Sequence, residues 1–382
     1  ATGAAALTTN GEGTSFGIAG SVSFNWMDGF TRAAIENVKF GPSAENNIKA
    51  EFITVSASRT GDIFALAAGA AGAPKEKGIA ITGSVAISVL KNRTEAILSN
   101  LKAGSEIAGP VTVEAKDTSQ IIGSAGALSY GGKGGFGAAF TLNLIKSATS
   151  AIFRDSDLKF HGNLNLTGEA KNTIISAAGA VGASKDKGGV GITLAINLLL
   201  NSVNTVMERV SALSAAGNTT GLISAENSST VINAAGALGA AKTAGVGVVI
   251  AFNLIQPQIK AAIMDSRLEM GNGAVTDDSS SLTVSAKDGS TIYSVSAGGA
   301  GAEKVAVAGA ISANIILTDV EASIKGAGTV VKATGDISIR STAENNIYAY
   351  AGNAAGAGKV AVGAAFSFNM SNIQLAAFID GA

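Results

Sequence analysis

The segment AINLLLNSVNTVMERV at positions 195–210 has three counterparts further along the chain. They are AFNLIQPQIKAAIMDS at 251–266, SANIILTDVEASIKGA at 312–327 and SFNMSNIQLAAFIDGA at 367–382. Their alignment puts an asparagine at one shared position, which is occupied earlier in the chain by Asn25, Ser88 and Asn143. A spacing of about 57 residues is typical of a repeat architecture in which similar units stack on one another.

The repeat runs through all 382 residues and predicts one elongated repeat domain. Its units cover approximately residues 1–62, 63–119, 120–173, 174–230, 231–291, 292–346 and 347–382. Because the pattern is cut within a unit at both ends, we expect the chain to be a fragment of a longer protein.

The composition is low in charge and high in small residues. Charged residues make up 14% of the chain, against about 25% in an average globular protein. The net charge of −1 gives no general attraction to nucleic acid. One Trp and four Tyr are too few for the aromatic belts of membrane proteins, so we expect no membrane insertion. The absence of cysteine suits a chain that crosses an oxidising compartment unfolded.

Each unit contains four recognisable parts. A small-residue strand such as 176–184 is followed by a tip with a lysine, and then by a bulkier strand that contains the asparagine, such as 189–197. A short strand of the L-x-V type closes the unit on a polar turn, as in LTVSAKDGST at 282–291. Alternation of apolar residues with period two indicates strands, and frequent glycine disfavours helix.

These features predict an all-β fold, a β-solenoid resembling a parallel β-helix. We expect about six to seven repeats with a wide or flattened cross-section, because a coil of this length is too long for a simple three-sided helix. The Ala/Gly strands are expected to let two sheets approach closely.

The recurring asparagines form one candidate column. In a stacked solenoid their amides would lie in register and hydrogen-bond along the axis, as amide ladders do. We interpret this column as structural. Its predicted members are Asn25, Asn143, Asn197, Asn253, Asn314 and Asn369.

The lysines of the tips form a second candidate column, 10 or 11 residues before the asparagine position. Exposed charge at a tip discourages lateral pairing of sheets, which is the structural interpretation. The functional interpretation is a basic stripe that binds an anionic ligand, such as a cell-surface glycan. Its predicted members are Lys77, Lys133, Lys187, Lys242, Lys304 and Lys359.

The polar turns predict a repeated corner of the coil, because Asp and Asn tolerate the left-handed conformation. They are AKDTS at 115–119, AKNTI at 170–174, AENSS at 225–229, AKDGS at 286–290 and AENNI at 343–347. No calcium-binding nonapeptide accompanies them, so we expect no metal.

Signatures of catalysis are missing from the sequence. His161 is the only histidine and there is no cysteine, which leaves no triad and no His/Cys metal site. The nearest carboxylate pairs are Asp155 with Asp157 and Asp277 with Asp278, each in an irregular stretch. We therefore expect no enzymatic activity and no cofactor.

The composite pattern AAGAxGA–K–GVGxxxAxNxI–xxxAxI, with its L-x-V strand and A-[KE]-[DN] turn, resembles repeats of very large secreted bacterial exoproteins. These are the filamentous-haemagglutinin-like adhesins and the related leukotoxin-like proteins of two-partner secretion systems. The resemblance covers nearly the whole chain and is one of repeat style. It implies an extracellular β-solenoid at a bacterial cell surface, and it carries over no functional residues.

Two functions remain open at this stage. The first is the stalk or contact surface of a secreted adhesin, whose partner is a glycan or protein of a host or neighbouring cell. The alternative is a subunit of a self-assembling extracellular fibre or sheath, whose partner is another copy, bound end to end or laterally. A solenoid without caps exposes strand edges that favour such assembly.

Overall fold

The fold is all-β in the computed structural model, which describes residues 1–9, 13–41, 48–271 and 278–382. No helix occurs in these ranges. Asp277 lies outside them. The strands in chain order are β1 (Thr2–Leu7), β2 (Phe16–Glu36), β3 (Ile53–Ala73), β4 (Ile79–Ser99), β5 (Ser105–Glu106), β6 (Val111–Gly131), β7 (Gly134–Phe160), β8 (Leu164–Ser184), β9 (Gly188–Ser214), β10 (Thr220–Ala241), β11 (Ala244–Met264), β12 (Arg267–Met270), β13 (Ser281–Ala302), β14 (Val305–Lys325), β15 (Val330–Ala333), β16 (Ile337–Ala343), β17 (Asn346–Ala357) and β18 (Val360–Asp380).

Two large parallel sheets contain the long strands. The first sheet has the order β1-β3-β6-β8-β10-β13-β16, with β17 also paired to β13. The second has the order β2-β4-β7-β9-β11-β14-β18. The chain passes from one sheet to the other and back, so each coil adds one strand to each sheet. This confirms the predicted parallel β-solenoid, and strands of 21 to 27 residues make its coils long and flat.

Alternation with period two builds both faces of each strand. In β9, every second residue from Gly189 to Met207 is buried between the sheets, while the residues between them face outward. Both sheets therefore pack their inward side chains against each other and keep an outer face each.

The end of each coil that carries the lysine tip is narrow, and we call it the narrow end. Its buried side chains are mostly alanine, in small clusters such as Ala178, Ala195 and Ala237. An added Cβ on Gly239 would lie 2.0 Å from the carbonyl oxygen of Val246 in the opposite sheet. The two backbones thus approach closely at this end, as expected from the Ala/Gly strands.

The opposite end, which we call the wide end, contains the large apolar core. Phe153, Phe160, Leu164 and Leu166 are almost completely buried there. The last residues of β7 and β9 pair with β5 and β12, and β12 pairs with β15. These short pairings form a third face that closes the wide end.

A bend in the left-handed conformation turns the chain into this third face. Residues at one shared register have positive φ values between 46° and 110°. Such values suit Asn, Asp and Gly. The bend residues are Asn37, Asn100, Asp155, Arg209, Asp265, Gly326 and Gly381.

The predicted corners at the polar turns were wrong. The first four turns lie inside β6, β8, β10 and β13, and the fifth separates β16 from β17. The L-x-V strand, the polar residues and the small-residue strand therefore form one long strand in most coils. Asp117, Asn172, Asn227 and Asp288 are buried between the sheets, because the period-two alternation continues through them without a break.

Candidate functional site

The predicted lysine column lies on the tips of the narrow end. Lys133, Lys187, Lys304 and Lys359 each directly precede a strand of the second sheet and share one register. Lys77 and Lys242 each stand one residue earlier. All six side chains are exposed, so the tips form one continuous edge along the solenoid axis, which we call the tip edge.

Backbone hydrogen bonds connect successive tips. The amide of Lys187 donates to the carbonyl of Lys133 at 3.1 Å, and the amide of Glu303 donates to the carbonyl of Lys242 at 3.0 Å. The tips are thus held at the spacing of parallel strands, about 4.8 Å. Like charges at this spacing repel unless their side chains separate or bind an anion.

The tip edge is basic overall. Lys75 and Lys185 add to the six predicted lysines, whereas Glu76, Asp186 and Glu303 are the only acidic residues on the described tips. None of these side chains takes part in an ion pair in the described ranges. An open depression of about 560 Å³ lies among the tips, and its lining residues are Glu76, Lys77, Gly132, Lys133, Lys185, Asp186, Lys187 and Lys242.

The predicted asparagines share one register of the second sheet and face the interior. Asn143 donates through Nδ2 to Oδ1 of Asn197 at 2.9 Å, and Asn197 donates to Asn253 at 2.8 Å. The series continues from Asn253 to Asn314 at 2.8 Å and from Asn314 to Asn369 at 2.9 Å. We call these residues the asparagine column.

The column is interrupted at Ser88. Ser88 is paired in register with Asn25 and Asn143, but its hydroxyl is too short to reach either amide. The Oγ of Ser88 and the Oδ1 of Asn143 are both buried without a hydrogen-bond partner, and Asn25 bonds Ser23 instead. Such orphan groups each cost about 1–3 kcal/mol.

In the coils of Ser88 and Asn143, the opposite sheet compensates for the size of the side chain in the column. A Cβ on Gly123 would lie 2.1 Å from Oδ1 of Asn143. Ala65 occupies the same register as Gly123 in the coil that has Ser88. The larger amide thus faces a glycine and the smaller hydroxyl faces an alanine, which keeps the interior volume constant.

A second buried polar layer, which the sequence reasoning did not identify, lies nearer the wide end. A row of apolar residues, including Ile121, Ile174 and Leu199, separates it from the asparagine column. One signal in the sequence could have identified this layer. The polar residue of each predicted turn falls on the same period-two alternation as the buried residues before and after it. Members of this inner polar layer are Asn92, Asp117, Ser119, Asn172, Asn201, Asn227, Ser229, Asp288, Ser290, Thr318 and Asn345.

Two carboxylates stand in this layer. Asp288 accepts hydrogen bonds from Asn227 at 2.6 Å, Ser290 at 3.0 Å and Thr318 at 3.0 Å. Burial raises the pKa of Asp288 despite these bonds, and it also raises the pKa of Asp117. Desolvation disfavours the charged form of each group more than the hydrogen bonds favour it.

The carboxylates considered for catalysis have other partners. Asp155 is a bend residue whose Oδ1 accepts from Nε of Arg209 at 2.6 Å, which lowers the pKa of Asp155. Asp157 accepts from the amide of Gly104 at 3.4 Å. Asp278 bonds Ser280 at 2.7 Å, and its predicted companion Asp277 lies outside the described residues.

The single histidine lies at the wide end beside an acid. Nε2 of His161 is 3.3 Å from Oε1 of Glu106, and Nζ of Lys159 is 3.0 Å from the same oxygen. Hydrogen bonds from Lys159 and His161 lower the pKa of Glu106. These groups form a surface ion cluster next to an open depression of about 470 Å³.

No group of three or more His, Asp or Glu side chains suitable for a metal ion occurs in the described parts of the chain. Those parts also contain no helix that could span a bilayer. Comparison with known proteins found no matching family model, no similar curated protein and no similar solved structure. The function is therefore inferred from this chain alone.

Proposed function

We propose that the chain is a non-enzymatic stalk or contact segment of a secreted bacterial exoprotein of the adhesin type, displayed outside the cell. The fold supports a structural function, because the space between the two sheets is filled with side chains in repeated columns. Such a body provides length and lateral surface.

The observation that carries the proposal is the tip edge. Its lysines repeat along the axis at the strand spacing and have no acidic partners in the described ranges. A linear array of this kind matches a polyanion with repeated charges, such as an acidic glycan, because each added coil adds one more contact. Multiple weak contacts along one polymer then give avidity.

Exchange of three tip lysines tests the proposal. We expect that Lys187→Glu, Lys242→Glu and Lys304→Glu, combined, abolish retention on a heparin column at about 0.15 M salt, near the physiological ionic strength. The control combines Lys116→Glu, Lys171→Glu and Lys287→Glu on the outer face of the first sheet, with the same change in net charge. Equal retention of the two variants would show that the tip edge is not the binding surface.

A self-assembling fibre or sheath is the second candidate function. In the described residues β18 pairs only with β14, so its other edge has unpaired backbone groups that a further coil of this or another chain would extend. Electron microscopy over a concentration series separates the two functions. Discrete short rods at all concentrations support the stalk, whereas filaments that grow with concentration support the fibre.

A further inference from the structure

The outer face of the second sheet carries a large uncharged surface at the narrow end. On each of its seven long strands the first six outward positions hold only apolar residues or glycine. On β2 they run from Phe16 to Trp26, and on β18 from Val360 to Met370. We call this surface the apolar face.

Many of its side chains are exposed, both within the sheet and on its edge strand β18. Ile250 is 40% exposed, Ile311 is 45% exposed and Phe366 is 61% exposed, and these three share one register. The first charged outward positions, including Asp28 and Lys91, come after the sixth position. The face therefore offers no charged group to a polar ligand.

The size of the apolar face exceeds what an isolated protein normally exposes. Six outward positions span about 33 Å along a strand, and seven strands span about 29 Å across the sheet. The resulting area of about 950 Å² is larger than the patches of a few hundred Å² found on monomers. It also exceeds the roughly 800 Å² per partner that a stable interface needs.

We propose that the apolar face is a self-association surface on which a second copy of this chain packs, sheet against sheet. The area suffices for a stable pair, and the evenly spaced parallel strands give both copies the same corrugation. Two sheets pack face to face at about 10 Å with interdigitated side chains. Because each copy contributes the same face, the contact is closed and yields a dimer.

The corrugation favours a protein partner over lipid. One register holds small residues at both sides of the sheet, beside a register of larger ones, while Ile192 and Val248 fill it in the middle. The small residues are Gly20, Gly83, Ala138, Gly309 and Ala364, and their larger neighbours are Val22, Val85, Phe140, Ile311 and Phe366. Side chains of a facing sheet can fill such troughs, whereas lipid chains bind a flat apolar surface equally well. The tip edge would also bring its lysines against the hydrocarbon if the narrow end entered a bilayer, which is costly.

Pairing through the apolar face goes beyond the proposed contact function and does not depend on it. The tip edge borders the face without forming part of it, so heparin retention and dimerisation are separate measurements. A chain that dimerises but does not bind heparin contradicts only the proposed contact function. A chain that binds heparin but stays monomeric contradicts only the pairing through the apolar face.

Sedimentation velocity of the full chain without detergent tests the proposal. We expect a dimer for the wild type and a monomer with unchanged circular dichroism for Ile250→Glu combined with Ile311→Glu. Two buried charges in each copy are expected to raise the dissociation constant by at least about a hundredfold. The matched control is Ile232→Glu with Val295→Glu on the outer face of the first sheet, at residues 40% and 50% exposed, and it should remain dimeric.

Four outcomes would overturn the inference. A wild type that is monomeric at every concentration, or a control that dissociates as readily as the face variant, removes the apolar face as the interface. Oligomers larger than a dimer would indicate that the apolar face of one copy packs against a different face of the next copy. A monomer that floats with phosphatidylcholine–phosphatidylserine vesicles, when the face variant does not, makes lipid the occupant instead.

Discussion

The narrow end and the wide end of the same coil differ in how the two sheets pack against each other. At the narrow end the two backbones are in contact, and a Cβ on Gly239 would overlap the carbonyl oxygen of Val246. At the wide end, the large side chains of Phe153 and Leu166 fill the space between the sheets. The difference teaches that the narrow end is sensitive to added volume and the wide end to lost volume.

Removal of a large side chain from the wide end should have the greatest effect. Phe153→Ala is expected to lower the free energy of unfolding by about 3–5 kcal/mol, because the close-packed surroundings cannot fill the cavity. Urea unfolding followed by circular dichroism measures it. Phe64→Ala, at a position 63% exposed on the outer face of the first sheet, is the control and should change little. Similar losses in both variants would contradict the assignment of the wide end as the core.

Addition of a single methyl group at the narrow end should come next. Gly239→Ala is expected to cost about 1–3 kcal/mol, because the facing backbone must move to relieve the overlap. Gly179→Ala is the matched control on an outer face, where a Cβ meets nothing within 4 Å, and it should be neutral or slightly stabilising. Thermal melts of the two proteins compare them directly. A tolerated Gly239→Ala would mean that the sheets are further apart at this end.

The asparagine column lies between the narrow end and the wide end. Its removal measures how much buried hydrogen bonds contribute to stability in this part of the coil. Asn253→Ala removes one acceptor of Asn197 and the donor to Asn314. Asn197 keeps the Oδ1 of Asn233 as an acceptor, but the Oδ1 of Asn314 loses its donor. This loss should cost about 2 kcal/mol, with heparin retention unchanged.

Asn204→Ala, an outward asparagine that bonds Ser202, should stay within about 0.5 kcal/mol of the wild type. An unchanged melting temperature for Asn253→Ala would count against a structural function for the column.

The inner polar layer predicts a smaller, pH-dependent effect towards the wide end. The pKa of Asp288 is raised in the folded protein, so the folded state holds a proton more tightly than the unfolded chain. The free energy of unfolding should therefore fall as the pH rises from the ordinary pKa of Asp to the raised one. Asp288→Asn removes this loss and should be more stable at pH 7 by on the order of 1 kcal/mol.

Urea unfolding of both proteins at several pH values checks this expectation. The difference should shrink towards about pH 3, below the ordinary pKa of Asp, where the carboxyl group of the wild type is also neutral. A variant that is less stable than the wild type at pH 7, with a difference that vanishes towards pH 3, would show that the charged carboxylate stabilises the layer.

Much of the fold could be predicted because each structural repeat has its own repeated pattern of residues in the sequence. The shared register of Asn197, Asn253 and Asn314 follows from their spacing once the strands stack in parallel. The position of Asp117 could not be predicted in the same way. A polar residue beside lysine and threonine indicates a turn by composition, yet continuous alternation buries it, and only the partner strand shows which interpretation is correct.

The two candidate surfaces also differ in whether the sequence could predict them. The lysines of the tip edge could be found from the sequence, because they recur at a fixed offset from the asparagine. The apolar face could not be predicted from composition, since a strand that alternates small residues with Ile, Val and Phe is expected to bury the larger set, whereas these strands bury Gly, Ala, Ser and Thr at the narrow end. Only the direction of each side chain distinguishes the exposed set from the buried one.

The sequence by itself determined the period, the all-β solenoid and the columns that parallel stacking creates, because each depends on local alternation and on repetition. The tertiary structure alone decided where the chain bends, which polar residues are buried and which apolar residues are left outside. Those features depend on the distance between the two sheets. That distance is set jointly by residues that face each other from opposite sheets, such as Gly123 and Asn143 or Gly239 and Val246.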